Sequence, residues 1–141
     1  MRRNVIVDTS ILVSAFLFPD SVPGRVLGLA DEGIYPLRFS PIIWEEVKRS
    51  LHNPRLRKSY GYTDGNIGHW LAYLEEIGSP VLEPLPDIEA VCRDPDDDHV
   101  LAAALVVDAE FIVTGDKDLL TLGKYKKTLI VTAKAFVEEI E

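Results

Sequence analysis

The sequence predicts an α/β fold, a three-layer α/β/α sandwich around a central parallel sheet, on three observations. Short runs of β-branched and apolar residues without polar alternation, Val5-Ile6-Val7 and Phe111-Ile112-Val113 among them, have the composition of strands buried on both faces. Stretches with apolar residues at helical spacing separate these runs, so strands and helices alternate along the chain. No linker, repeat or low-complexity segment breaks the alternation, and right-handed crossovers then place helices on both faces of one sheet.

Size and composition agree with this. A chain of 141 residues suits one domain, spanning 1–141, with a single core. Hydrophobic residues make up 47% and charged residues 27%, values of a soluble globular protein rather than a disordered one. No apolar run approaches the roughly 18 residues needed to cross a bilayer. Met1-Arg2-Arg3 lead directly into an apolar segment too short for a secretory signal. A single cysteine, Cys92, excludes an internal disulfide and points to the cytoplasm. The formal net charge of -8 argues against a bulk electrostatic nucleic-acid binder. It leaves a nuclease open, because carboxylates that hold divalent metal lower the net charge without describing the local field.

Taken in order, Val5 to Val7 is the first strand, closed by Asp8, with Thr9 and Ser10 placed to cap an apolar helix from Ile11 to Phe18. Pro19 to Gly24 reads as a loop, and Arg25 to Asp31 as a short helix stopped by Gly33. Tyr35 to Phe39 is the second strand, and Ser40-Pro41 starts the next helix, an N-cap followed by proline at the first helical position. Ile43, Val47 and Leu51 form its inward stripe. At about 100° per residue, Glu46 lies on the margin of that stripe and Glu45 points nearly opposite. Glu46 is therefore the acid that can reach a half-buried site, the alternative being a solvated partner of Arg49 or Ser50.

Arg55 to Tyr60 is a basic turn or short helix, and Asp64 caps a helix whose stripe is Ile67, Leu71, Leu74 and Ile77, with Trp70 and Tyr73 packing as core aromatics. Val81 to Glu83 is a third short strand. The run Arg93-Asp94-Pro95-Asp96-Asp97-Asp98-His99 then leads into Val100 to Val107, apolar enough to be buried nearly all round. Macrodipole stabilisation of about 0.3 to 1 kcal/mol per acid accounts for one or two acids there, not four. Phe111 to Val113, the fourth strand, ends in Thr114-Gly115-Asp116-Lys117-Asp118. Gly123 to Thr128 is a basic loop, Leu129 to Val131 a fifth strand, and Thr132 caps a last helix to Ile140.

In a parallel sheet every strand ends on one rim, and the helices that follow begin there. Asp8, Asp98 and Asp116 thus share an edge, joined by Glu46 from the helix starting at Ser40. Asp8 admits a plainer reading as a turn or cap residue. No histidine, serine or cysteine triad stands beside these acids. Gathered carboxylates cannot all remain ionised uncompensated, and hard divalent cations, Mg²⁺ or Mn²⁺, resolve the conflict. Such ions support in-line displacement at a phosphodiester.

The motifs V-D-T-S at Asp8, S-P-x-x-x-x-E at Glu46, the acidic run into D-H-V-L-A-A at Asp98, and T-G-D at Asp116 resemble those of PIN domains, over essentially the whole length and close to the VapC-like branch of toxins. The resemblance implies a sheet of strand order 3-2-1-4-5 and a Mg²⁺- or Mn²⁺-dependent ribonuclease leaving 5′-phosphate and 3′-hydroxyl ends. It implies a homodimer and an antitoxin partner that occupies the site. It makes Asp8, Glu46, Asp98 and Asp116 the metal-binding and catalytic acids, with Thr9 or Ser10 and Thr114 holding them by hydrogen bonds. Asp98 is chosen within the run because its spacing to Leu101-Ala102-Ala103 fits the family. Asp94 is the alternative there, and Asp118 either binds a second metal or caps the next turn. His99 reads as a surface residue or a support for the acids, since Mg²⁺ prefers oxygen. Lys48, Arg49, Arg55, Arg57, Lys58, Lys117, Lys124, Lys126 and Lys127 are available to grip RNA phosphates. Two rivals remain at this point: a haloacid-dehalogenase-type phosphatase, which wants an acid where this chain has Ser10, and a non-catalytic PIN-like binding module.

Overall fold

A computed structural model describes residues 4–88 and 97–141. Three strands sit where hydrophobic runs predict them: β1 (Val5–Val7), β4 (Phe111–Val113) and β6 (Thr128–Val131). With β2 (Leu37–Phe39), β3 (Gly78–Pro80) and β5 (Lys124–Tyr125) they form one sheet in the order β3-β2-β1-β4-β6-β5. Every pairing from β3 to β6 is parallel, and Ile6 is matched to Arg38 on one side and Ile112 on the other. Val5, Ile6, Val7, Phe111, Ile112 and Val113 are all buried, as unalternating central strands must be.

Two strand expectations change. The third strand lies at Gly78–Pro80 rather than Val81–Glu83, because Gly78 both ends the preceding helix and enters the ladder. A Cβ at Gly78 would stand 2.7 Å from Leu37 Cδ2 and 3.1 Å from Phe39 Cε1, so a larger residue there would have to displace those side chains. Val81 follows with one more bond to the Phe39 carbonyl, at 2.8 Å, and is buried. On this edge the Gly78 N–H is committed to Leu74 O, Pro80 has no N–H, and the Pro80 carbonyl accepts from Arg38 Nη2 at 3.1 Å. The sheet is also not wholly parallel. Lys124-Tyr125, expected as loop, pairs antiparallel with β6 around Lys126, which takes a positive φ of 52°.

The helices are α1 (Thr9–Leu17), α2 (Val22–Asp31), α3 (Pro41–Leu51), α4 (Pro54–Tyr60), α5 (Asp64–Ile77), α6 (Asp98–Val106), α7 (Lys117–Leu122) and α8 (Ala133–Ile140). Ser40 and Thr132 cap α3 and α8 as expected. Elsewhere the caps shift by one to a few residues. Asp8, not Thr9 or Ser10, is the N-cap of α1. Ser21 caps α2, which starts before Arg25 because Pro23 fits its first turn. Thr63, not Asp64, caps α5 through a reciprocal box with Asn66. Helix α6 packs on β1 and β4 with Val100 to Ala104 buried, while α1 packs on α2 and α3, and α2 on α8. No single described helix is long and apolar enough to cross a membrane.

Candidate metal centre

Because β1, β2, β4 and β6 are parallel, the residues that follow them, Asp8, Ser40, Thr114 and Thr132, leave the sheet on one rim. The Asp8 N–H still bonds to Val113 O at 2.9 Å and the Thr114 N–H to Val131 O at 3.0 Å, so the ladder carries both residues to the edge in fixed register. This rim borders a cleft of about 430 Å³ lined by Asp8, Thr9, Ser10, Val13, Glu46, Ser50, Asp97, His99, Val100, Gly115 and Asp116.

A short hydrogen-bond network sets each acid. Asp8 Oδ1 accepts from the Thr9 N–H at 2.8 Å, and Asp8 Oδ2 from Thr114 Oγ1 at 2.7 Å. Thr114, fully buried, in turn accepts from the Asp116 N–H at 3.0 Å, so one hydroxyl ties the ends of β1 and β4 together. Thr9 donates its side chain to Glu46 Oε1 at 2.9 Å, linking α3 to the same point. Ser10 Oγ accepts from the Gly115 N–H at 3.3 Å. Asp116 caps α7, its Oδ1 receiving the Asp118 and Leu119 N–H groups at 2.8 and 3.1 Å. Burial pushes the Asp8 carboxyl above its ordinary value of 3.8. Hydrogen bonds from Thr114 and Thr9 oppose this, the Glu46 charge adds to it, and the His99 ring opposes it.

Asp8, Glu46 and Asp116 therefore meet, and Thr9, Ser10 and Thr114 hold the surrounding loops. Glu46 faces the cleft while Glu45 is exposed and pairs with Lys48, as the helical angle requires. Asp98 is not brought to this cleft. It lines an adjoining depression with Ile42, Leu85, Asp87 and His99, and Asp97 takes the place expected of it. The physical reason is the helix start: Asp97 is the N-cap of α6 in αR geometry and makes no side-chain cap bond, and the next residue is swung round by about 100°. Asp97, Asp116 and Asp118 each offer a carboxylate oxygen, all within 4.8 Å of one another. Asp94 lies outside the described residues. His99, expected at the surface or behind the acids, has a side chain only 16% exposed, with Nε2 3.6 Å from Glu46 Oε1. Its burial was readable only from the helix it begins, which is apolar nearly all round and leaves its first turn little solvent.

The donors match a hard divalent cation. Four carboxylates line the cleft with no lysine or arginine among the described lining residues, and all their ligand atoms are oxygen. Repulsion between such groups is relieved by a doubly charged ion bound among them.

The sequence pattern of the PIN domain matches residues 4–118. An uncharacterized protein of Methanocaldococcus jannaschii is 33% identical over 149 aligned positions, covering all of this chain and 94% of that protein. The matched span contains β1, α3, the start of α6 and the Thr114-Gly115-Asp116 loop, so it takes in every acid of the cleft. With sheet order, rim and pattern in agreement, the chain belongs to the PIN-domain family.

Proposed function

We propose that this PIN domain is a Mg²⁺- or Mn²⁺-dependent ribonuclease that hydrolyses phosphodiester bonds of RNA. PIN-domain membership implies nuclease-type chemistry in general. The observation that carries the finer reading is the convergence of Asp8, Glu46, Asp97 and Asp116 on one cleft with no lysine or arginine among its described lining residues. A bound divalent ion supplies a polarised phosphoryl group and a water of lowered pKa. The protein's part is to hold the oxygens. Asp8 is fixed by Thr9 and Thr114, Glu46 by Thr9, and Asp116 by the first turn of α7, each retaining lone pairs for an ion. Asp97 and Asp118, next to Asp116, extend the donor set. Water adds to phosphorus and the P–O3′ bond breaks, the proton passing to the leaving oxygen, which gives 5′-phosphate and 3′-hydroxyl ends. Lys117, exposed directly after Asp116, would then contact a neighbouring phosphate.

The role as toxin of a toxin-antitoxin pair, the antitoxin partner, the homodimer and the cytoplasmic setting rest on the motif resemblance and on the single cysteine. Purified protein with Mn²⁺ or Mg²⁺ should cut single-stranded or structured RNA, stop in excess EDTA, and melt higher as metal is added. Release of inorganic phosphate from a phosphomonoester with RNA left intact would restore the phosphatase reading. Tight RNA binding without cleavage would favour the binding module.

A further inference from the structure

The reaction proposed above leaves His99 unused, yet its ring lines the cleft and lies 3.6 Å through Nε2 from Glu46 Oε1. Its other nitrogen, Nδ1, is buried and has no hydrogen-bond partner among the described residues. Among the described residues Nδ1 is thus unsatisfied whichever nitrogen carries the hydrogen, and the neighbour of Nε2 decides between them. A hydrogen on Nε2 faces a carboxylate oxygen, whereas a bare Nε2 lone pair would face that oxygen repulsively. Glu46 Oε1 already accepts from Thr9 Oγ1, so a second donor fills both of its lone pairs. At 3.6 Å the approach is electrostatic rather than a full hydrogen bond.

We propose that His99 is a positioning residue for Glu46: with its hydrogen on Nε2 it occupies Oε1 together with Thr9 and leaves Oε2 as the single oxygen Glu46 offers to a metal. This rests on the metal-dependent reading for its consequence, though not for the contact itself. His99 is then not a metal ligand, and the donor set stays all-oxygen.

Side-chain length supplies the test. In His99→Gln the amide nitrogen reaches the depth of imidazole Nε2, in His99→Asn it reaches only that of Nδ1, and His99→Leu has no donor. Imidazole ¹⁵N NMR of metal-free wild type, with the His99 signals assigned by their loss in His99→Gln, should find the hydrogen on Nε2. Calorimetric titration with Mn²⁺ should show His99→Gln close to wild type, and His99→Asn and His99→Leu weaker by about 10- to 100-fold, the cost of losing a group that orients a ligand. Thermal melts should show His99→Leu no less stable than wild type, since it removes an unsatisfied buried nitrogen, which a purely structural role would not allow. A hydrogen found on Nδ1, or His99→Gln as weak as His99→Leu, overturns the proposal. Neither measurement uses RNA, so failure of wild type to cut RNA would count against the ribonuclease alone. If wild type bound no Mn²⁺ the metal reading would fall, and the NMR result would still decide the contact.

Discussion

Four of the described helices directly follow a strand and begin on the rim where it ends, and their caps differ in kind. Helices α3 and α8, after β2 and β6, are capped by neutral hydroxyls, with Ser40 Oγ and Thr132 Oγ1 accepting from Ile43 N and Ala135 N at 3.1 Å each. Helices α1 and α7, after β1 and β4, are capped by Asp8 and Asp116. Serine, threonine and aspartate serve comparably as N-caps, so capping alone does not call for charge at two of the four positions. The two charged caps follow adjacent central strands, at the point where the chain's crossovers reverse direction, toward β2 and β3 on one side and β6 on the other. Open α/β sheets bind ligands in the crevice opened by that reversal. The plain reading of Asp8 as a cap holds, one oxygen capping α1 and the other held by Thr114, and each oxygen keeps a lone pair for the ligand role proposed above.

The contrast can be broken most sharply at Asp8. Asp8→Asn should reduce metal-dependent RNA cleavage by at least about 10²-fold, the scale on which single electrostatic contributors act, while asparagine still caps α1. Because the folded carboxyl titrates above its unfolded value of 3.8, the native state holds its proton to higher pH than the unfolded chain. The stability linked to that proton is complete at low pH and is lost as pH rises through the folded pKa. In EDTA, the difference in melting temperature between Asp8→Asn and wild type should therefore grow as pH rises from about 4 toward neutral. A constant difference across that range would show that burial does not strain Asp8.

Thr114→Val comes next. It keeps the shape but removes the hydroxyl that joins Asp8 to the Asp116 loop, and Mn²⁺ affinity should fall about 10- to 100-fold. Comparing Asp97→Asn with Asp98→Asn refines the boundary of the site: the former should weaken Mn²⁺ binding by about tenfold, on that same scale, and the latter should leave it near wild type. The smallest effect belongs to the neutral cap. Thr132→Ala should cost about 1 kcal/mol in urea denaturation and leave metal affinity and cleavage unchanged.

Legibility in the sequence followed how strongly each position is determined locally. Strands β1 and β4 stand out because burial on both faces excludes polar residues, and Glu46 because a helix of 11 residues fixes the angle between its stripe and its margin. Strand β3 escaped because Gly-Ser-Pro has no strand propensity of its own and is extended by its pairing with β2. Strand β5 escaped because Lys124-Tyr125, two residues between Gly123 and Lys126, carry no pattern. Asp97 could not be told from Asp98 by spacing, since one step at a helix start redirects a side chain and the αR geometry of Asp97 is not written in its neighbours. The Asp116 loop was readable as an acid beyond a strand, whereas its link to Asp8 through Thr114 spans 106 residues and exists only in the folded chain.

The two margins of the sheet bear on how copies of this protein can associate. At β3 the Gly78 N–H is bonded to a helix carbonyl, Pro80 has no N–H and its carbonyl accepts from Arg38, and at the other margin β5 is two residues long beside Lys126 and Lys127. Short strands, a proline and flanking lysines make both margins poor templates for an incoming strand. Growth of the sheet by strand addition is thereby disfavoured at both ends, and a second copy of this chain would meet it more readily through helix surfaces.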